Sequence, residues 1–103
     1  MATTGAAFRN IARRYVTALF ALAEAKKVLE AVAADLDAFA GLLQESEALE
    51  RFVHNPLTSR VQQQQAMEVL LKQGGAHALT KQFFAELAEA RRLPLVPEIA
   101  RQF

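Results

Sequence analysis

The stretch Phe8-Arg9-Asn10-Ile11-Ala12-Arg13-Arg14-Tyr15-Val16-Thr17-Ala18-Leu19-Phe20-Ala21-Leu22-Ala23-Glu24 decides how the rest of this 103-residue chain is read. With its flanking alanines it predicts one long helix over residues 6–25. Phe8, Ile11, Tyr15, Leu19 and Leu22 recur at three- and four-residue steps and gather on one side. Arg13, Thr17 and Glu24 gather on the other. Ala12, Val16, Phe20 and Ala23 widen the apolar arc well beyond the ~100° that a one-sided surface helix needs. Two neighbouring elements must flank such a helix, or part of its arc stays open for a partner.

The remaining chain continues in the same period. Lys26-Lys27 suits a helix C-terminus, where cations meet the negative end of the dipole. A second helix is predicted over 28–44 from Leu29, Val32, Leu36, Phe39, Ala40 and Leu43, with Asp35 and Asp37 off the stripe. Gly41 within it suggests a close crossing, because it removes bulk at some cost in helix stability. Ser46 caps a short helix over 47–53, and Asn55-Pro56 stops it, since a residue before proline is pushed out of the α region. Ser59 caps a fourth helix, with Gln62 placed for a capping box. In that helix, Gln62 to Gln65 reads as one solvated face plus part of a partly buried one, and 66–71 as deeply packed. Gly74-Gly75 ends it in a left-handed cap. A fifth helix, 76–91, carries Leu79, Phe83, Phe84, Leu87 and Ala88 on its apolar side, with Arg91-Arg92 complementing its C-terminus. Pro97 fits the first turn of a last helix, 98–103. No segment alternates apolar and polar long enough to make a strand. The expected fold is therefore an all-α six-helix bundle, one domain over residues 1–103.

Composition bounds the function. Hydrophobic residues are 52% and charged residues 22%, which marks a globular chain and not a disordered one. There is no cysteine, so no disulfide framework or thiolate chemistry. The formal net charge of +1 falls short of the basic surplus of a nucleic-acid binder. No apolar run approaches the ~20 residues that cross a bilayer. Met1 to Ala7 lack the charged and apolar regions of a secretion signal.

Three fragments stand in the order of a known family. Ala12-Arg13-Arg14-Tyr15-Val16-Thr17-Ala18-Leu19-Phe20, Phe52-Val53-His54-Asn55-Pro56-Leu57-Thr58-Ser59-Arg60 and Leu87-Ala88-Glu89-Ala90-Arg91-Arg92-Leu93 resemble the opening helix, central Asn-Pro turn and late Leu-Ala-Glu-Asn-Gly-Arg-Leu segment of the delta-subunit family of F-type ATP synthases. The mitochondrial counterpart is the oligomycin-sensitivity-conferring protein. Ala90-Arg91 replaces Asn-Gly, which puts the turn before Arg92 in question. The resemblance covers the whole chain and is to the N-terminal domain of that subunit. It implies a non-catalytic stator domain of the peripheral stalk, supporting proton-driven ATP synthesis and using no cofactor. Such a domain docks on the catalytic head by holding the N-terminal helix of an alpha subunit in a groove between its first and fifth helices. It further implies a C-terminal domain, absent from this chain, that meets the stalk b subunit. The location implied is the cytoplasmic face of a bacterial inner membrane, or the matrix side if mitochondrial, without direct membrane insertion.

The residues themselves fit helix-in-groove recognition, which needs two neighbouring helices with apolar surface left over after the core is filled. Ile11, Tyr15, Ala18 and Leu22 lie in one narrow strip of the first helix, with Arg14 beside Ala18. Phe83, Glu86 and Ala90 form a strip on the fifth, with Gln82 at its edge. Tyr15 is amphipathic and suits a half-open groove, although a core position with its hydroxyl at the rim is the plainer reading. Phe83 and Phe84 cannot both face one way; core for both is the plain reading, one core and one groove the sharper.

Other chemistries lack carriers. His54 and His77, far apart and without cysteines, make no metal set and read as surface or loop residues. Glu45, Glu47 and Glu50 read as solvated first-turn charge. Ser46 and Ser59 sit in no nucleophile elbow, and Gly74-Gly75 follows a helix where a phosphate loop would follow a strand. The rival to docking is a helical DNA-binding or other protein-interaction module, suggested by Arg9, Arg13, Arg14, Lys26 and Lys27; phosphate contact would show as binding that weakens steeply with salt. A membrane-surface helix would need an exposed Leu/Phe/Trp face, and here the surplus is mostly alanine and Trp is absent. The second-helix stripe makes a direct prediction: Leu36→Ala should cost ~2–5 kcal/mol in chemical denaturation, as a large-to-small change in a core does. A cost below about 0.5 kcal/mol, the level of a neutral surface change, would mean the stripe is misassigned.

Overall fold

The computed structural model describes residues 2–103, with side chains from Gly5 onward; Met1, the first residue of the domain expected over 1–103, lies outside the described residues. Six α-helices follow one another: α1 Ala2–Ala25, α2 Leu29–Glu45, α3 Glu47–His54, α4 Arg60–Gln73, α5 Ala78–Glu89 and α6 Val96–Gln102. A 3₁₀ turn, Leu93–Leu95, leads into α6. No strand occurs among the described residues. The all-α bundle expected from the periodicity is the fold observed. Within it α4 lies chiefly against α5, and α6 fills the space between α1 and α2.

The predicted stripes build the core. Val32, Leu36, Phe39 and Leu43 of α2 are buried, as are Leu79, Phe83, Phe84, Leu87 and Ala88 of α5. Phe39 and Phe84 meet edge to face with ring centroids 4.8 Å apart, the geometry that aromatic quadrupoles favour. On α1 the centre of the packed face is Ala12, Leu19 and Ala23, flanked by half-buried Ile11, Tyr15 and Val16. Short side chains at the centre let neighbouring helices come close. The wide arc is shared out on two sides. Phe20, on one flank, stacks on Phe103 at 5.5 Å; Ala18 and Leu22, on the other, remain exposed.

Helix ends follow local chemistry. Ser46 accepts from the Leu49 N–H, and Ser59 and Gln62 complete a reciprocal capping box. Three helices end in Schellman motifs. After α4 the left-handed residue is Gly75 (φ 70°), with Gly75 N–H bonded to Lys72 O and Ala76 N–H to Leu71 O. After α1 and α5 the same motif is made by Lys27 (φ 59°) and Arg91 (φ 58°). Val28 N–H reaches Ala23 O, and Arg92 N–H reaches Leu87 O. Thus Lys27, beyond the last turn of α1, ends it through its backbone, and Arg91 holds the turn where the resembled segment has glycine. A non-glycine residue there costs about 1–2 kcal/mol, partly offset because Arg91 Nη1 donates to Thr58 O at 2.6 Å.

Several sequence expectations are corrected. α1 begins at Ala2 and α6 at Val96, each earlier than predicted, while α5 is shorter at both ends. Arg91-Arg92 therefore stand beyond α5 and not in its last turn. His77 is no ordinary loop residue: its ring nitrogen accepts from Leu79 N–H and caps α5. Asp35, read as off the stripe of α2, is half-buried and reaches across to the same helix start. Its Oδ2 accepts from His77 N–H at 2.9 Å and from the buried Thr80 hydroxyl at 2.7 Å. A carboxylate there also faces the positive end of the α5 dipole. The stretch 66–71 is packed on one side only: Met67 and Leu71 are buried, whereas Glu68 and Val69 are exposed because successive residues point 100° apart. Among the glutamines, Gln63 is the buried one, its amide pointing at the Phe52 and Val53 carbonyls at 3.5 Å. Gly41 marks no close crossing, since a methyl group added there meets no atom within 4 Å.

Two measurements follow. Gly41→Ala should stabilise the domain by about 0.5–1 kcal/mol, the helix-propensity difference without a steric cost, read from urea midpoints. A loss of stability would restore the close crossing. Glu98 provides a pH signature. Its carboxylate accepts from Gln102 at 2.8 Å and pairs with Arg101, which together hold its pKa below the ordinary 4.5. A depressed folded pKa means stabilisation present above the unfolded value and lost as pH falls through the folded one. Melting temperature should accordingly fall less steeply on acidification in Glu98→Gln than in the parent; equal slopes would remove Glu98 from the acid transition.

Candidate docking groove

The open flank of α1 faces α5 across a groove enclosing 430 Å³. Its lining is Tyr15, Ala18, Leu19, Leu22 and Lys26 from α1 and the residue that follows it, with Leu79, Gln82, Phe83 and Glu86 from α5. The floor is complete without a partner: Leu19, Leu79 and Phe83 are only 2%, 7% and 6% exposed. The walls are open. Ala18 is exposed, Leu22 is 50% exposed, and Tyr15 is half-buried. Gln82, Glu86 and Lys26 form a polar rim, and among the described residues neither Glu86 nor Lys26 has an ion-pair partner. The result is apolar surface framed by unpaired polar groups, the arrangement expected of a protein-binding cleft.

Of the residues expected at the site, Tyr15, Ala18, Leu22, Gln82, Phe83 and Glu86 come together in this lining. Ile11 and Arg14 lie one helical turn before Tyr15 and Ala18, Ile11 half-buried and Arg14 exposed. Ala90 is exposed at the C-cap of α5. None of these three is in the lining. Both Phe83 and Phe84 are buried, yet they serve different surfaces. Phe84 meets Phe39 edge to face inside, while Phe83 meets the Tyr15 ring edge to face at 5.9 Å under the groove. Burial of both is the plain reading of the pair, and Phe83 in addition lines the floor of this cleft.

Sequence reasoning missed Leu19, Lys26, Leu79 and Arg92. Lys26 follows Leu22 by four residues and Leu79 precedes Phe83 by four, so extending each strip by one turn would have found them. No such signal existed for Arg92. It lies 77 residues from Tyr15, yet its Nη1 donates to the Tyr15 hydroxyl at 3.2 Å and its guanidinium carbon sits 5.8 Å from the ring centroid. That contact belongs to the cation–π class.

One other surface differs in chemistry. A larger cleft of 590 Å³ beside α4 and α5 is lined by Gln64, Glu68, Lys72, Lys81 and Gln82, with only Met67 and Ala85 apolar. Charged side chains of both signs, Glu68, Lys72 and Lys81, surround the buried Met67 there. Among the described residues no group of three or more His, Cys, Asp or Glu side chains could hold a metal ion. No helix among them is long and apolar enough to cross a membrane.

A family model described as the ATP synthase delta (OSCP) subunit matches residues 11–103. The chain is similar to ATP synthase subunit delta of Rhodospirillum centenum, 43% identical over 93 residues, which covers 90% of this chain and 50% of that protein. It is 39% identical over 103 residues to the subunit of Nitrobacter winogradskyi, covering 100% of this chain and 55% of the other. A Methylobacterium subunit is 36% identical over 100 residues, with 97% and 53% covered. The chain spans about half the length of these curated relatives.

Proposed function

This chain belongs to the ATP synthase delta (OSCP) subunit family, and from that premise we propose that it docks on the catalytic head by holding the N-terminal helix of an alpha subunit in the α1–α5 groove. The family is that of a structural subunit of ATP synthase and not a catalytic one. In this reading the chain is part of the peripheral stalk and helps keep the head from turning with the rotor during proton-driven synthesis. The region of the relatives that this chain does not span would meet the stalk b subunit. The assembly would lie at the cytoplasmic face of a bacterial membrane, or the matrix face if mitochondrial.

The observation that carries the reading is the division of labour in the groove. Its floor of Leu19, Leu79 and Phe83 is already packed, while Ala18 and Leu22 keep apolar surface in water. A folded domain gains nothing by exposing such a strip, whereas an amphipathic helix laid across it buries apolar area on both sides. Ala18 is the smallest side chain of the wall, so it sets where a partner backbone approaches most closely.

Ala18→Glu tests this. The residue is exposed, so the new carboxylate stays hydrated and the thermal melt should be nearly unchanged. Affinity for a synthetic peptide of the alpha-subunit N-terminal helix should fall at least tenfold, about 1.4 kcal/mol. An unfolded variant would put Ala18 in the core, and a folded one with unaltered affinity by calorimetry would move docking to another surface.

A further inference from the structure

We infer that Arg92 is a positioning residue for helix docking, acting by holding the Tyr15 ring as the end wall of the groove. The inference rests on the docking reading and adds a residue outside the groove lining. Three contacts make Tyr15 rigid. Its ring edge meets Phe83 at 5.9 Å, its hydroxyl accepts from Arg92 Nη1 at 3.2 Å, and the same guanidinium lies 5.8 Å from the ring centroid. Phe83 is packed in the core, so it backs one edge of the phenol. Arg92 fixes the tip. Without it, nothing else in the described residues bonds the hydroxyl.

Arg92 owes its place to the turn before it. Arg91 takes the left-handed conformation, Arg92 N–H closes the Schellman bond to Leu87 O, and Leu93 is buried immediately after. The Arg92 backbone is therefore anchored on both sides while its side chain lies exposed along the groove end. Arginine suits the task, because one planar group can both donate to a hydroxyl and lie against an aromatic ring. Lysine offers a point charge without the plane. An ordered aromatic wall lets a partner bind without first immobilising that side chain, an ordering cost that would otherwise be subtracted from affinity.

The chain carries one tyrosine and no tryptophan, so near-ultraviolet circular dichroism and fluorescence in the tyrosine band report on Tyr15 alone. The test uses the whole chain and the synthetic alpha-subunit N-terminal peptide. Arg92→Gln should keep the parent's melting temperature, weaken the tyrosine dichroism, and lower peptide affinity three- to tenfold. Arg92→Lys should fail to restore both signals, since charge alone does not hold the ring. Tyr15→Phe, which loses the hydroxyl bond but keeps the ring, should lower affinity less than Arg92→Gln, and the double variant should lose less than the two single losses combined, because the hydroxyl bond is common to both. Unaltered affinity in Arg92→Gln, full rescue by lysine, or strictly additive losses would each overturn the positioning role. If the parent chain does not bind the peptide at all, the docking reading falls first and this inference with it.

Discussion

A 24-residue helix that is apolar around most of its circumference cannot be covered by one neighbour, and the architecture of this domain is the answer to that constraint. The central line of Ala12, Leu19 and Ala23 goes to the core. One flank is partly covered by α6, where the still partly exposed Phe20 lies tilted against Phe103 and Gln102 ties back to the Arg9 carbonyl at 3.2 Å. The other flank faces α5 but is not closed by it. Small residues at Ala12 and Ala23 let α1 sit close to its covered neighbours, and the same economy of bulk at Ala18 leaves the remaining flank as a groove.

The second organising feature is how the chain enters and leaves α5. At its start, Asp35 from α2 accepts from the His77 N–H and the Thr80 hydroxyl, tying two helices 42 and 45 residues apart at one point. At its end, Arg91 accepts backbone strain so that Arg92 can turn back toward Tyr15 while Leu93 enters the core. These two anchors set the position of Leu79, Phe83 and Glu86 relative to α1. The cleft is thus held from both ends of α5, by residues that are not themselves in its lining, Asp35 and Arg92.

Legibility followed range. The helices were readable because each apolar stripe repeats with the helical period, and caps such as Ser46, Ser59 and Gly75 act within four residues of themselves. The groove was half readable. Tyr15, Ala18 and Leu22 share a strip by spacing alone, as do Phe83 and Glu86, and the family resemblance pairs the two strips. The end of α1 at Lys27 was less so, since the left-handed conformation is chosen by the Schellman bonds and not announced by a glycine.

Class of fold, number of helices, the residues able to form a core and, through the motifs, the family all follow from the order of amino acids. All of these depend on interactions between residues near each other along the chain, or on patterns that survive averaging over it. Tertiary structure alone decided which part of the wide α1 arc is buried, why Gly41 stands in open space, that Asp35 caps a distant helix, and that Arg92 lies over Tyr15. Those outcomes depend on how six rigid rods share a limited apolar surface. A helical period states which side chains lie on one face, but not which neighbour the face will meet.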